Sequence, residues 1–188
     1  MNKNFYITTP IYYPSAKPHM GHAYSSIVSD VIARFKRLDG YHVEFLTGTD
    51  EHGLKIQRAA EEKGIDPKKF CDEISQTFRN LSKILNLSNT DFIRTTEDRH
   101  IKSVQNLWNI LESKDQIYLS KYSGWYSVSD EAFYSENEIK NENGVNLSVT
   151  SGSKVEWVEE ESYFFKLSKW QNYLLKFYDE NPKFILPK

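Results

Sequence analysis

A strand, a loop, a helix and a second strand follow one another at the start of the chain, and that order leaves few folds open. Phe5-Tyr6-Ile7-Thr8-Thr9 is aromatic and β-branched and is stopped by Pro10, the pattern of a short buried strand. Ile27, Val28, Val31, Ile32, Phe35 and Leu38 recur at helical spacing, and Gly40 stands where a helix would be capped. Tyr41-His42-Val43-Glu44-Phe45-Leu46 then reads as a second strand. Two strands joined by a helix pair in parallel through a right-handed crossover, and the loops at their carboxyl ends open on one crevice. Those loops are 10–22 and 48–53.

The first loop, Pro10 to His22, carries the most chemistry. Pro18 is expected in the first turn of the helix, where a fixed φ helps and a missing N–H costs nothing. His19 and His22 are three apart, so both imidazoles share one face of that turn, where the helix dipole favours an anion. Gly21 between them lets a flat ligand approach the backbone. A phosphate site fits this arrangement. A His-x-x-His pair by itself is more often the mark of surface histidines, or of half a metal site, than of a nucleotide site.

Farther along, Leu54 to Lys63 reads as a helix ending at Gly64. Asp66-Pro67 starts another, with a core stripe of Phe70, Ile74, Phe78, Leu81 and Leu85. Asp91-Phe92-Ile93-Arg94-Thr95 reads as a third strand, and Thr96 as the cap of a helix bearing Ile101, Val104, Trp108 and Leu111. The alternation is that of half a nucleotide-binding α/β fold. Past Asp115 the character changes. Ile117-Tyr118-Leu119 and Trp125-Tyr126-Ser127-Val128 are expected to flank a turn at Lys121-Tyr122-Ser123-Gly124, followed by a loop over 135–154, a strand at 155–158 and a final helix through Trp170, Tyr173, Leu174 and Phe177.

Composition excludes several classes. A single cysteine among 188 residues, Cys71, rules out an internal disulfide framework and a multi-cysteine metal cluster, and fits a reducing cytoplasm. Cys71 lies beside an apolar stripe and reads as packed rather than nucleophilic. No apolar run approaches bilayer length, so no membrane partner is expected. A net charge of −2 argues against broad nucleic-acid binding and leaves room for local contact.

Pro18-His19-Met20-Gly21-His22 resembles the His-Ile-Gly-His signature of class I aminoacyl-tRNA synthetases. The run Ile7 to Tyr13, the helix segment Ser29 to Arg34, and Phe45-Leu46-Thr47-Gly48-Thr49-Asp50-Glu51-His52-Gly53 are similar to the methionyl-tRNA synthetase family. The likeness runs through most of the chain. It implies an α/β fold: residues 1–115 as the first half of a Rossmann-like parallel sheet with helices, and 116–188 as the start of an inserted connective α+β subdomain.

The resemblance also implies a methionine-tRNA ligase: the methionine carboxylate attacks the α-phosphate of ATP, accompanied by Mg2+, and the methionyl group of the adenylate passes to tRNA(Met), contacted mainly through regions beyond this chain. His19 and His22 would be catalytic. Lys17, His19, Gly21 and His22 would bind ATP, and Ile11, Tyr13 and Asp50 would bind L-methionine, with Asp50 facing its ammonium. Two other readings stand beside this one. One is a metal-dependent hydrolase using His19, His22, His52 and Asp50; the other is a non-catalytic synthetase-derived module that keeps a nucleotide or amino-acid pocket.

In the insertion, relatives often carry a Cys-x-x-Cys zinc knuckle where this chain has Ser127 and Asp130. Serine is a poor zinc ligand, so no structural zinc is expected. Lys166-Leu167-Ser168-Lys169-Trp170 resembles the second class I signature, Lys-Met-Ser-Lys-Ser, but its place inside the insertion marks it as a decoy. The catalytic region is therefore expected to be incomplete, and the isolated fragment weak or inactive.

Overall fold

A computed structural model describes residues 3–186. The chain packs as two units, one up to Val104 and one from Gln105 onward.

The first unit is built on a three-stranded parallel sheet in the order β1-β2-β3: β1 is Lys3–Thr8, β2 is Tyr41–Thr49 and β3 is Asp91–Arg94. Lys3 is opposite Tyr41, and Leu46 opposite Asp91. Helix α1 (Met20–Leu38) joins β1 to β2; α2 (Leu54–Glu62) and α3 (Pro67–Ile84) lie between β2 and β3. Central β2 buries Val43, Phe45, Thr47 and Thr49 at every second residue, the period of a pleated strand. Gly48 interrupts this strand for a steric reason, since a Cβ there would stand 2.0 Å from the Ile93 carbonyl oxygen. Ala33, Val43 and Phe45 form one small core; a larger one joins Ile56, Ala60, Phe70, Ile74, Phe78 and Phe92 with Tyr12.

One expectation for α1 changes, and the orientation of its apolar stripe becomes visible. The helix begins at Met20 with His19 as its N-cap, so Pro18 lies before the cap rather than in the first turn. The apolar stripe of Val31, Phe35 and Leu38 faces outward, Leu38 being 90% exposed, while Ala23, Ser26, Asp30 and Ala33 are buried. Small residues let the helix approach closely, and the two polar ones are satisfied. Ser26 meets the Tyr12 hydroxyl, and Asp30 accepts from Ser88 N–H and Oγ–H and from Arg34 Nε. Burial alone would raise the Asp30 pKa, but the hydrogen bonds from Ser88 and Arg34 outweigh it and hold the carboxyl below its ordinary value. Asp66 and Pro67 start α3 as expected, with the Asp66 carboxylate accepting from Lys69 N–H.

Helix α4 (Asp98–Ser113) leads into the second unit. There, β4 (Ile117–Ser127) pairs antiparallel with β5 (Ala132–Tyr134) and β8 (Glu156–Phe165), while β6 (Ile139–Glu142) and β7 (Val145–Ser148) form a separate hairpin. Helix α5 is Gln171–Glu180. The turn expected at 121–124 is absent. These residues run straight through β4, with Lys121 opposite Glu161 and Ser123 opposite Glu159. Gly124, read from sequence as a turn residue, instead makes room for the Phe133 ring, which would lie 3.2 Å from an added Cβ. The loop expected over 135–154 holds a 3-10 turn and the β6–β7 hairpin, closed by Asn143 and Gly144, both at positive φ. Asn-Gly between short strands is the strongest short-range hairpin signal, and reading 135–154 as one loop passed over it. The strand expected at 155–158 extends to Phe165.

Candidate active site

The loop after β1 is tied to the end of β2 by its own backbone. Tyr12 N–H donates to the Gly48 carbonyl at 3.0 Å, and Asp50 N–H donates to the Tyr12 carbonyl at 2.9 Å. The two chemically rich loops thus meet at the carboxyl edge of the sheet, as the crossover predicts.

At the start of α1 the two histidines cap the helix reciprocally. His19 Nδ1 accepts from Gly21 N–H at 3.0 Å, and His22 Nδ1 accepts from His19 N–H at 3.1 Å. The rings stack with centroids 3.8 Å apart. A neutral imidazole that accepts at Nδ1 carries its proton on Nε2, so both rings are held in the tautomer that leaves Nε2–H as a donor. Part of the first turn is thus satisfied by the histidines themselves. Burial, and then the neighbouring His19, lower the His22 pKa and keep that ring neutral. Gly21 is constrained by the same packing: a Cβ would come within 2.9 Å of the His19 ring.

His22 rests on an aromatic bed that sequence reasoning missed. Tyr12 is 7% exposed, stacks on Phe78 with centroids 5.5 Å apart and lies 4.7 Å from the His22 ring. Its hydroxyl meets Ser26 Oγ at 2.9 Å and Ser25 Oγ at 3.0 Å. In Ile11-Tyr12-Tyr13 the middle residue is the buried anchor, and its two neighbours face outward. Ile11, Tyr13, Lys17, His19 and His22 line, with Tyr12, a cleft of about 350 Å³. Of the expected site residues, Gly21 lies beneath the His19 ring and Asp50 stands at the adjoining end of β2. No side-chain hydrogen bond or ion pair engages the Asp50 carboxylate among the described residues.

Behind Asp50 lies a second feature the sequence did not announce. The Glu51 carboxylate is fully buried and doubly paired with Arg94, at 2.6 Å to Nε and 2.8 Å to Nη2. Thr49 and Thr96 hydroxyls donate to it at 2.7 and 2.6 Å. Burial pushes the Glu51 carboxyl up, but the Arg94, Thr96 and Thr49 hydrogen bonds prevail and hold its pKa below the ordinary value. Burial, reinforced by the Glu51 charge, pushes the Cys71 thiol up to about 11, which agrees with a packed and unreactive sulfur.

His19, His22, His52 and Asp50 do not gather into a group able to hold a metal; among the described residues no cluster of three such ligands exists. That removes the geometric basis of the hydrolase reading. In the second unit, Asp130 sits at the centre of a hydrogen-bonded hub: Ser151 Oγ–H, Ser153 Oγ–H and Tyr134 O–H donate to its carboxylate at 2.5, 2.8 and 2.8 Å. Buried Ser127 and Ser148 accept N–H bonds from the turns that follow them, at 3.3 Å from Asp130 and 3.2 Å from Thr150. Lys166 and Lys169 both pair with Asp115, at 2.6 and 3.3 Å, which gives the signature-like run a structural role. No helix of the described residues is long and apolar enough to cross a membrane.

Residues 5–187 match the family model described as tRNA synthetases class I (M). The chain is 56% identical over 187 residues to the methionine–tRNA ligase of Rickettsia bellii, covering 100% of this chain and 36% of that protein. It is 53% identical over 190 residues to that of Listeria monocytogenes, covering 98% of this chain and 29% of the relative. Among solved structures it is similar to Mycobacterium tuberculosis methionyl-tRNA synthetase in complex with methionyl-adenylate, with a TM-score of 0.93 and 48% identity over 99% of this chain and 36% of that one. The chain thus spans about a third of the length of the relatives it matches.

Proposed function

The chain belongs to the methionyl family of class I tRNA synthetases, and from that premise we propose that it carries the ATP and methionine subsites of a methionine-tRNA ligase. Residues 1–115 are the first half of the nucleotide-binding catalytic domain, and 116–188 are the connective insertion, in a cytoplasmic enzyme. The observation that carries this reading is the stacked His19–His22 pair, locked by its own caps into two Nε2–H donors beside a cleft that Ile11, Tyr13 and Lys17 also line.

In the reaction, a methionine carboxylate oxygen bonds to the α-phosphorus of ATP as the bond to the β-phosphate bridging oxygen breaks, and pyrophosphate leaves. The terminal ribose hydroxyl of tRNA(Met) then bonds to the carbonyl carbon of the adenylate as the bond to the phosphate oxygen breaks, and AMP leaves, its phosphate taking up the hydroxyl proton. No proton transfer to the protein is needed in the first step, so alignment and stabilisation of phosphate charge dominate. His19 and His22 donate to phosphate oxygens, and the Lys17 ammonium adds charge. Magnesium accompanying ATP would supply further charge neutralisation to its phosphates. The Asp50 carboxylate meets the methionine ammonium, and Ile11 and Tyr13 offer an apolar and aromatic surface to the thioether.

Methionine-dependent ATP–pyrophosphate exchange tests this in a synthetase carrying these residues. His19→Ala or His22→Ala should slow adenylate formation by roughly 100- to 1000-fold, the range for loss of a donor to developing oxyanion charge. Asp50→Asn should instead weaken methionine binding. If Asp50→Asn spares methionine and weakens ATP, the assignment of Asp50 fails.

A further inference from the structure

Asp50 and Glu51 are neighbours with opposite surroundings. Asp50 is half-buried with its carboxylate unengaged, whereas the Glu51 side chain is fully buried. A carboxylate has about four lone-pair sites, and all four of Glu51 are taken: Oε1 by Arg94 Nε and Thr49, Oε2 by Arg94 Nη2 and Thr96. It has nothing left with which to touch a ligand. Its backbone is held as well. Glu51 N–H donates to Thr95 Oγ1 at 2.8 Å, Thr95 N–H donates to the Thr49 carbonyl at 3.2 Å, and the Cys71 thiol lies 3.8 Å from the Glu51 carbonyl. Arg94, in turn, reaches α3 through Asp72 at 2.6 Å.

We propose that Glu51 is a positioning residue for the amino-acid subsite, fixing through Arg94, Thr95 and Thr96 where the neighbouring Asp50 carboxylate stands. The proposal deepens the reading of Asp50 as the partner of the methionine ammonium and rests on it. Among the described residues Asp50 has one backbone tie of its own, to Tyr12, and the residue after it is held by the Thr95 and Arg94 contacts. A buried ion pair is a weak source of stability compared with apolar packing, but it is directional and tolerates one geometry. Here that geometry joins the end of β2 to the end of β3 and to α3, three elements distant in sequence.

The test is Glu51→Gln in a synthetase carrying these residues, which keeps the shape and removes the charge. Two readouts are taken: amide hydrogen exchange at residues 50–53 relative to Val43 and Phe45, and equilibrium titration with L-methionine and with ATP separately. Faster exchange confined to 50–53, with methionine affinity reduced roughly 10- to 100-fold and ATP affinity unchanged, is the expected result, the scale being that of small misplacements in an aligned site. Unchanged exchange overturns the role of Glu51, whatever methionine does. Equal weakening for methionine and ATP, or faster exchange throughout the sheet, reduces Glu51 to a stability residue and overturns the proposal. Faster exchange at 50–53 in a synthetase that loses no methionine affinity on Asp50→Asn overturns the reading of Asp50 instead. Should Glu51→Gln fail to fold, Thr96→Val removes one donor and leaves the ion pair, and the same outcomes decide.

Discussion

The two units of this chain solve the problem of holding polar groups in place by different means. In the first, polar anchors are buried beneath an apolar core: Glu51 against Arg94, Ser26 against Tyr12, and Asp30 against Ser88, each linking residues far apart in sequence. In the second, the corresponding anchor is Asp130, a half-exposed carboxylate gathering three hydroxyls, with few buried residues around it beyond Ser127, Ser148 and Val155. Buried anchors tolerate no loss of a partner, because the remaining group stays desolvated and unsatisfied. A half-exposed hub can fall back on water. The first unit should therefore respond to substitution sharply, and the second gradually.

The largest effect that would break this contrast is at Phe78, 2% exposed and in contact with both Tyr12 and His22. Phe78→Ala should destabilise the first unit by ~3–5 kcal/mol in denaturant titrations and leave amide protection along the β4–β8 ribbon unchanged. Coupled loss in both units would show that they unfold as one. Next comes Tyr12→Phe, which removes the hydroxyl facing buried Ser26. A loss of ~1–3 kcal/mol is expected, and a neutral result would mean that Ser26 is satisfied within its own helix.

Asp130→Asn should act more mildly and locally. Limited proteolysis within 127–154 should accelerate while the melting of the first unit stays put. A chelator should leave the unsubstituted protein unchanged, since the hub is made of hydroxyls and one carboxylate. A chelator-induced loss of structure there would mean that a metal does the crosslinking.

The smallest effects come with pH, and their order sharpens the comparison. The folded His22 pKa is depressed below 6.5, so the neutral ring's contribution is present above that value and lost as pH falls through the lower folded one. Protonating Nδ1 also removes the acceptor for His19 N–H. The Asp130 carboxyl is held down to about 2, chiefly by the Ser151 hydrogen bond, then by those from Tyr134 and Ser153, against an ordinary 3.8. Its contribution is complete above 3.8 and disappears toward pH 2. On acidification, NMR should therefore show the α1 N-terminus loosening first and the Asp130 hub last. The reverse order would contradict both assignments.

Much of the first unit was legible because its signals are local. A strand stopped by Pro10, a helix ended by Gly40 and an Asp66-Pro67 start are written in neighbouring residues, and parallel pairing follows from chain geometry. The closeness of His19 and His22 was legible too, since residues three apart at the start of a helix share a face. The second unit was read less well. Gly124 and its polar neighbours looked like a turn, yet the long pairing with β8 overrides that local preference.

By itself, the sequence determined the alternation of strands and helices, the family, and the convergence of loops 10–22 and 48–53 at one sheet edge. Tertiary structure decided which way those residues face. The apolar stripe of α1 turns outward because small residues let its other face approach closely, and Tyr12 rather than Tyr13 goes inward because Phe78 and Ser26 await it. Glu51 meets Arg94, 43 residues away, only when β2 and β3 have paired. Spacing along a chain fixes what lies on one face of one element; partners brought together by folding across many residues leave no periodic trace in the sequence.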